Sequence, residues 1–229
     1  MPDISYSPLY LSLQVAGIST IVVFISGLFI AYWFSRRQFF GKSILEALFL
    51  LPLVLPPTVV GFGLLLLFGK NGIIGKFLLE SFQFQIVFTW VGAVIASAVV
   101  SFPLMYQAAH AAFQNMNRRY EQAAIMLGAS PWRVFWTVTL PLCWPGLLAG
   151  LVLSFARALG EFGATLMLAG NIPGKTETLP LAIYFAVEGG RMEIAAFWVA
   201  IIVAIGFSTI LWLNWWSKHT LNRHTQIKD

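Results

Sequence analysis

Long apolar blocks with almost no charge inside them follow one another along this chain. Of the 229 residues, 59% are hydrophobic and 10% are charged. The apolar residues run on without the polar alternation of a half-buried strand. A block of about 20 residues lets an α-helix cross a hydrocarbon core about 30 Å thick. The blocks therefore predict that lipid is the solvent in which this chain folds.

Each block predicts one membrane span. The five blocks lie at about 9–34, 44–68, 87–112, 138–160 and 194–216. Helices are expected because a segment in lipid must satisfy its backbone hydrogen bonds internally. We therefore predict an all-α polytopic membrane protein with a single transmembrane domain over residues 1–229. The stretch from Gly160 to Gly170 leaves room for an additional short or re-entrant helix.

The basic residues are distributed unevenly, and this predicts the orientation in the membrane. A net charge of +5 can indicate nucleic-acid binding, but the placement here follows membrane topology, so no nucleic-acid partner is expected. Three regions carry nine basic residues, namely Arg36, Arg37, Lys42, Arg118, Arg119, Arg133, Lys218, Arg223 and Lys228. By the positive-inside rule they face the cytoplasm, with the N-terminus outside and the C-terminus inside. Because basic residues follow the first block, it is interpreted as a retained anchor.

The polar residues predict no catalytic, cofactor or metal site. Cys143 is the single cysteine, and His110, His219 and His224 show no ligand spacing. The run Gly170 to Thr176 resembles a phosphate-binding P-loop but is one residue short between its glycines, and no strand precedes it. An intramembrane enzyme is therefore disfavoured, and any ATP that drives this protein must be bound by another chain.

The connection between the third and fourth blocks is too apolar for an idle loop. Glu121 to Leu127 predicts a short helix, and Gly128 can end it with a positive φ. Ser130 and Pro131 form an N-cap and first-turn pair that starts another helix. Two interpretations remain open: a docking element for a partner, or a hairpin packed on its own bundle.

Two further features carry open alternatives. Pro52, Pro56 and Pro57 remove backbone donors and force kinks in the second block, which favours either a pore lining or simple bending of the bundle. Arg157 and Glu161 lie four residues apart and can pair, away from lipid. They form either an internal ion pair or a charged position beside a translocation path.

The third connection resembles the EAA loop of ATP-binding-cassette (ABC) importer permeases. The positions that match are Glu121, Ala123, Ala124, Gly128, Val138, Leu140 and Pro141. There are two departures: Gln122 separates the glutamate from the alanines, and Val138 replaces isoleucine. The resemblance implies a type I importer permease fold in which residues 115–135 form a coupling loop that docks in a groove of an ATPase subunit.

Two other segments resemble the molybdate and sulfate branch of these permeases. They are Ser154 to Thr165 and Gly170 to Pro180. The resemblance implies a molybdate permease of a bacterial cytoplasmic (inner) membrane, with sulfate, thiosulfate or tungstate as alternative substrates. The implied partners are two ABC ATPase subunits and an extracytoplasmic molybdate-binding protein. A second copy of the chain is expected because five spans cannot readily enclose a path.

An ion-coupled secondary transporter is the main rival in a different class. Such proteins commonly show two matched halves with interrupted helices. No internal repeat is visible in this sequence, and Glu161, at the end of the fourth block, is the one acidic residue that we propose to lie deep in the membrane. The rival is therefore disfavoured.

Overall fold

The computed structural model describes residues 5–225, with side chains for 5–213 and 215. Lys228 lies outside these residues, and the side chains of Lys218, His219, Arg223 and His224 lie outside the described ones. In chain order the helices are α1 (Ser7–Arg36), α2 (Lys42–Val54), α3 (Pro57–Phe68), α4 (Ile73–Phe82), α5 (Trp90–Asn115), α6 (Arg119–Met126), α7 (Pro131–Val134), α8 (Leu140–Leu159), α9 (Gly163–Ala169), α10 (Leu179–Glu188) and α11 (Met192–Thr225). A π-turn, Phe135–Thr139, joins α7 to α8.

Four helices in the described part of the chain are long and apolar enough to cross a membrane. They are α1, α5, the continuous helix Pro131–Leu159 and the first 22 residues of α11, Met192–Leu213. The number is five if α2 and α3 together form one broken span. No β-strand occurs among residues 5–225, so the predicted all-α membrane fold is confirmed.

The second apolar block is divided between α2 and α3, which meet at an angle of 118°. Leu55 between them is extended, Pro56 caps α3 and Pro57 is its first residue. Neither proline can donate the N–H that a continuous helix would need here. The prolines therefore produce a sharp bend, which is stronger than the kink expected from the sequence.

The centre of the bundle is built from α1, α5 and α8, which pack through small residues. A Cβ added to Gly150 of α8 would lie 2.7 Å from the Cβ of Ala108 of α5. One added to Gly146 would lie 2.8 Å from the Cβ of Ala112. Small residues of this kind let helix backbones approach closely in a membrane.

Three helices are shorter than a span, namely α4, α9 and α10. Apolar blocks of about 20 residues do not predict helices as short as these. Among the three, α9 lies in the stretch from Gly160 to Gly170, where the sequence leaves room for an additional short helix. It packs between α3 and α5, and Ala164, Thr165, Leu168 and Ala169 are fully buried. It therefore belongs to the core of the bundle.

Candidate functional site

The connection between α5 and α8 forms a helix, a sharp turn and a second helix. α6 ends at Met126, and Gly128 follows with φ at +87°. The turn closes through bonds from Gly128 N to Ile125 O (2.9 Å) and from Ala129 N to Ala124 O (3.1 Å). The positive φ predicted at Gly128 is therefore confirmed. Glycine suits this position because a residue with a Cβ resists this conformation.

The second helix starts at the predicted cap. The Ser130 hydroxyl accepts a bond from the backbone N–H of Arg133 at 3.4 Å, and Pro131 is the first helical residue. Proline suits that position because its missing N–H would have no partner there. The turn is thus defined at both of its ends by local sequence.

One face of this connection exposes large apolar side chains. The exposed fractions are 50% for Ile125, 87% for Met126 and 90% for Leu127. Ala123 beside them is exposed, and Ala124 is half-buried. We call Ile125, Met126 and Leu127 the exposed tip of α6. Because contiguous apolar surface outside the span helices is costly in water, the tip fits a partner surface.

Glu121, in the first turn of the same helix, is by contrast buried, with 5% of its surface exposed. Its two carboxylate oxygens accept bonds from the two terminal nitrogens of Arg36, and Oε1 also accepts from the Thr139 hydroxyl. Burial by itself would raise the pKa of Glu121. The hydrogen bonds and the positive charge of Arg36 outweigh burial and lower this pKa below its ordinary value.

Thr139 reaches Glu121 from the π-turn that precedes α8. The Leu140 N–H donates to Phe135 O, five residues back, and Pro141 follows. A proline ring collides with the carbonyl four residues earlier, here that of Thr137, so a wider turn relieves the clash. Leu140 is half-buried and packs on the central core, whereas Pro141 is exposed.

Arg157 and Glu161 form an ion pair at the start of α9. Arg157 Nη1 lies 2.7 Å from Glu161 Oε2, and the side chains are 29% and 1% exposed. The other carboxylate oxygen of Glu161 accepts a bond from Ala164 N at 2.8 Å. Glu161 therefore holds the arginine and the first turn of α9 together.

The three prolines predicted as path residues lie in three different surroundings. Pro52 lines an apolar cavity of about 290 Å³ together with Val23, Phe49 and Phe102. Pro57 lies against α9, where a Cβ on Gly163 would be 3.2 Å from the Pro57 Cβ. Pro56 at the bend is exposed.

A polar cluster that sequence reasoning did not find joins α2 to α5. The Tyr106 hydroxyl donates to Glu46 Oε1 at 3.2 Å. Lys42 Nζ and His110 Nε2 lie 3.8 and 3.9 Å from the same oxygen, and Gln114 Nε2 lies 2.7 Å from His110 Nε2. The i,i+4 spacing of His110 and Gln114 could have predicted one contact, but Glu46 comes from another helix. Among the described residues, no group of three or more His, Cys, Asp or Glu could hold a metal ion.

The chain as a whole matches a known family of transport proteins. Residues 11–220 match the family model described as the binding-protein-dependent transport system inner membrane component. Because that match covers most of the chain, the protein belongs to this family of inner-membrane permeases, and the predicted resemblance and membrane location are confirmed.

Two relatives that cover most of this chain carry names of molybdenum transport permeases. The molybdenum transport system permease ModB of Haemophilus influenzae is 46% identical over 213 residues, which cover 93% of each chain. YvgM of Bacillus subtilis, whose name assigns it provisionally to molybdenum transport, is 52% identical over 214 residues, covering 93% of this chain and 94% of that one.

Solved structures share the fold at low identity. A bacterial alginate ABC transporter in complex with a pentasaccharide-bound periplasmic protein has a chain with a TM-score of 0.73 and 18% identity, covering 93% of this chain and 78% of that one. A chain of the MetNI methionine ABC transporter in an inward-facing conformation has a TM-score of 0.67 and 14% identity. The match covers 93% of this chain and 94% of that one. The fold is therefore that of a type I ABC importer permease.

Proposed function

We propose that this protein is the permease subunit of an ATP-driven importer that carries molybdate across the bacterial cytoplasmic membrane. The observation that carries the coupling to ATP is the geometry of α6, whose tip exposes Ile125, Met126 and Leu127 while Glu121 is buried. An apolar tip on a short, internally anchored helix suits insertion into a groove of a separate ATPase subunit. Hydrolysis then takes place on that subunit, and this chain converts its motion into transport.

The basic residues near α6 indicate on which side of the membrane its tip lies. Arg118 donates to the Ser35 carbonyl at 2.8 Å, which joins the basic end of α1 to the start of α6. By the positive-inside rule this end faces the cytoplasm, where ATP is available. The tip of α6 then lies on the side where an ATPase can reach it.

The remaining partners follow from the number of spans and the family. Four or five spans enclose no wide path by themselves, so we propose two copies side by side with the path between them, each copy carrying one ATPase subunit. An extracytoplasmic binding protein delivers the oxyanion, as the complex of the alginate relative with its periplasmic protein suggests for this fold. Lipid surrounds the assembly.

Molybdate is the proposed substrate because of what the relatives carry. Sulfate, thiosulfate and tungstate are the alternatives, since all are anions of similar charge. The pairing of Arg157 with Glu161 supports a path that does not trap a dianion, because the arginine charge is already compensated. Selection then rests largely with the binding protein.

The test is ATP-dependent uptake of labelled molybdate into proteoliposomes that hold this permease, its ATPase subunits and its binding protein. Uptake that persists in excess unlabelled sulfate supports the molybdate assignment. Abolition by sulfate moves the protein to the sulfate branch. Uptake that needs no ATP overturns the importer mechanism in favour of an ion-coupled transporter.

A further inference from the structure

Arg36, the last residue of α1, lies 85 positions before Glu121 in the chain but binds it directly. Its two terminal nitrogens donate to the two oxygens of the carboxylate, so the pair is bidentate. Two parallel bonds fix orientation as well as distance, which a single contact does not do. This is the charged contact that ties the first span to the buried end of α6.

The guanidinium of Arg36 is itself held in place. It lies over the Tyr32 ring, 5.0 Å from the centroid, and Tyr32 packs against Phe113 and Phe135. Arg36 therefore sits on an aromatic cluster shared by α1, α5 and the π-turn, and its position is determined by core packing.

Two polar contacts join α6 to α1: this bidentate pair, and the bond from Arg118 to the Ser35 carbonyl at 2.8 Å. The backbone of α6 packs against α7 and the π-turn, which follow it closely in sequence, while its tip is exposed. Glu121 also accepts from Thr139 of the π-turn. Arg36, Glu121 and Thr139 thus join three chain segments: the end of α1, the buried end of α6 and the turn that begins α8.

We infer that Arg36 is a positioning residue for coupling, because its bidentate pair with Glu121 makes α6 move with the first span when the tip is displaced. In this arrangement Glu121 does not face the ATPase, whereas the tip does. Without Arg36 the tip can still dock, but the single bond from Arg118 to the Ser35 carbonyl is left between α6 and α1. A single bond does not fix orientation, so α6 can swivel and displacement of the tip is no longer passed to the span. The inference rests on the proposed function, since it concerns how that function is transmitted.

The experiment measures labelled molybdate taken up per ATP hydrolysed in proteoliposomes that contain the complete transporter. The variants are Arg36→Gln, Arg36→Lys and the double exchange Arg36→Glu with Glu121→Arg. Arg37→Gln is the matched control, because Arg37 is the exposed neighbour, with its guanidinium 6.0 Å from the centre of the Trp33 ring.

We expect Arg36→Gln to copurify with the ATPase and hydrolyse ATP while uptake per ATP falls about tenfold, a size typical of coupling between sites. Uptake per ATP in Arg36→Lys should lie between the values of Arg36→Gln and the native protein, because lysine provides a point charge without the bidentate fork. The double exchange should recover part of the ratio, and Arg37→Gln should match native. A merely structural role for Arg36 would lower yield without changing uptake per ATP.

An unchanged ratio in Arg36→Gln overturns the inference. If that variant does not assemble, the double exchange decides: a recovered ratio supports the pair, and an assembled complex with no recovery overturns it. Absence of ATP-dependent uptake in proteoliposomes with the native protein overturns the proposed function itself. That result is distinct from normal uptake by the native protein combined with an unchanged uptake per ATP in Arg36→Gln.

Discussion

Gly61 of α3 lies against Ala164 of α9 so closely that a Cβ on the glycine would be 2.7 Å from the Ala164 Cα. The added carbon would also be 2.8 Å from the Met167 Cβ. This contact locks the helix after the proline bend onto the short helix after the Arg157–Glu161 pair. The two regions singled out separately in the sequence are therefore one packed unit.

Gly61→Ala should destabilise the protein by about 1–3 kcal/mol, because overpacking a close backbone contact forces the helices apart. Gly63→Ala on the same helix is the control, since no atom lies within 4 Å of a Cβ there. Thermal unfolding of both variants in lipid nanodiscs tests this. Equal melting temperatures for the two would show that α3 and α9 do not pack this closely.

Gly128→Val should weaken docking of the ATPase, because a β-branched residue resists the φ of +87° at the turn. The left-handed conformation costs such residues roughly 1–2 kcal/mol. Gly128→Asn is the control, because asparagine tolerates positive φ. Copurification with the ATPase and uptake should both fall for valine and stay near native for asparagine. Native behaviour of the valine variant would remove the turn from the coupling site.

Met126→Glu should abolish ATPase docking, because it puts a charge at the centre of the exposed tip that is proposed to enter an apolar groove. Phe40→Glu is the matched control: Phe40 is a large exposed apolar residue that belongs to the connection between α1 and α2 and is not part of the tip. Pull-down of the ATPase subunit measures the effect. Retained binding by Met126→Glu would contradict the docking surface.

Glu121→Gln should destabilise the protein at neutral pH and progressively less in acid. The folded pKa of Glu121 lies below its ordinary value of 4.5 because the bonds from Arg36 and Thr139 outweigh burial. A depressed carboxyl pKa contributes stability that is present above the unfolded value and lost as pH falls through the folded one. The free energy of unfolding of the native protein and of Glu121→Gln is measured from about pH 7 downward. The difference between the two should therefore shrink as the pH falls. A difference independent of pH would mean that charge is not what holds Glu121.

Glu161→Ala should destabilise the protein more than Glu161→Gln. Both changes remove the ion pair with Arg157, but glutamine keeps an oxygen that can accept the bond from Ala164 N. Loss of a side-chain acceptor for an N–H in the first turn of a helix costs about 1 kcal/mol. Chemical denaturation of the two variants separates the contributions, and equal losses would show that the bond from Ala164 N has no part in stability.

Much of this architecture is determined locally. Runs of apolar residues that cross a bilayer must be helical, so the membrane fold follows from the sequence. Gly128, Ser130 and Pro131 act on their own backbones, so the helix-turn-helix follows as well. The positions of Pro56 and Pro57 predict a break for the same reason, although its angle of 118° depends on what α3 packs against.

Contacts between distant segments were decided by the tertiary structure alone. Nothing in the sequence pairs Arg36 with Glu121, because their meeting depends on how α1 and α6 are arranged around the π-turn. The same holds for Gly61 beside Ala164, and for Glu46 beside Tyr106. Apolar periodicity determines which segments become helices, whereas side-chain fit between helices determines which of them touch. That is why the helix-turn-helix between α5 and α8 could be predicted from the sequence, whereas the contacts that hold it in place could not.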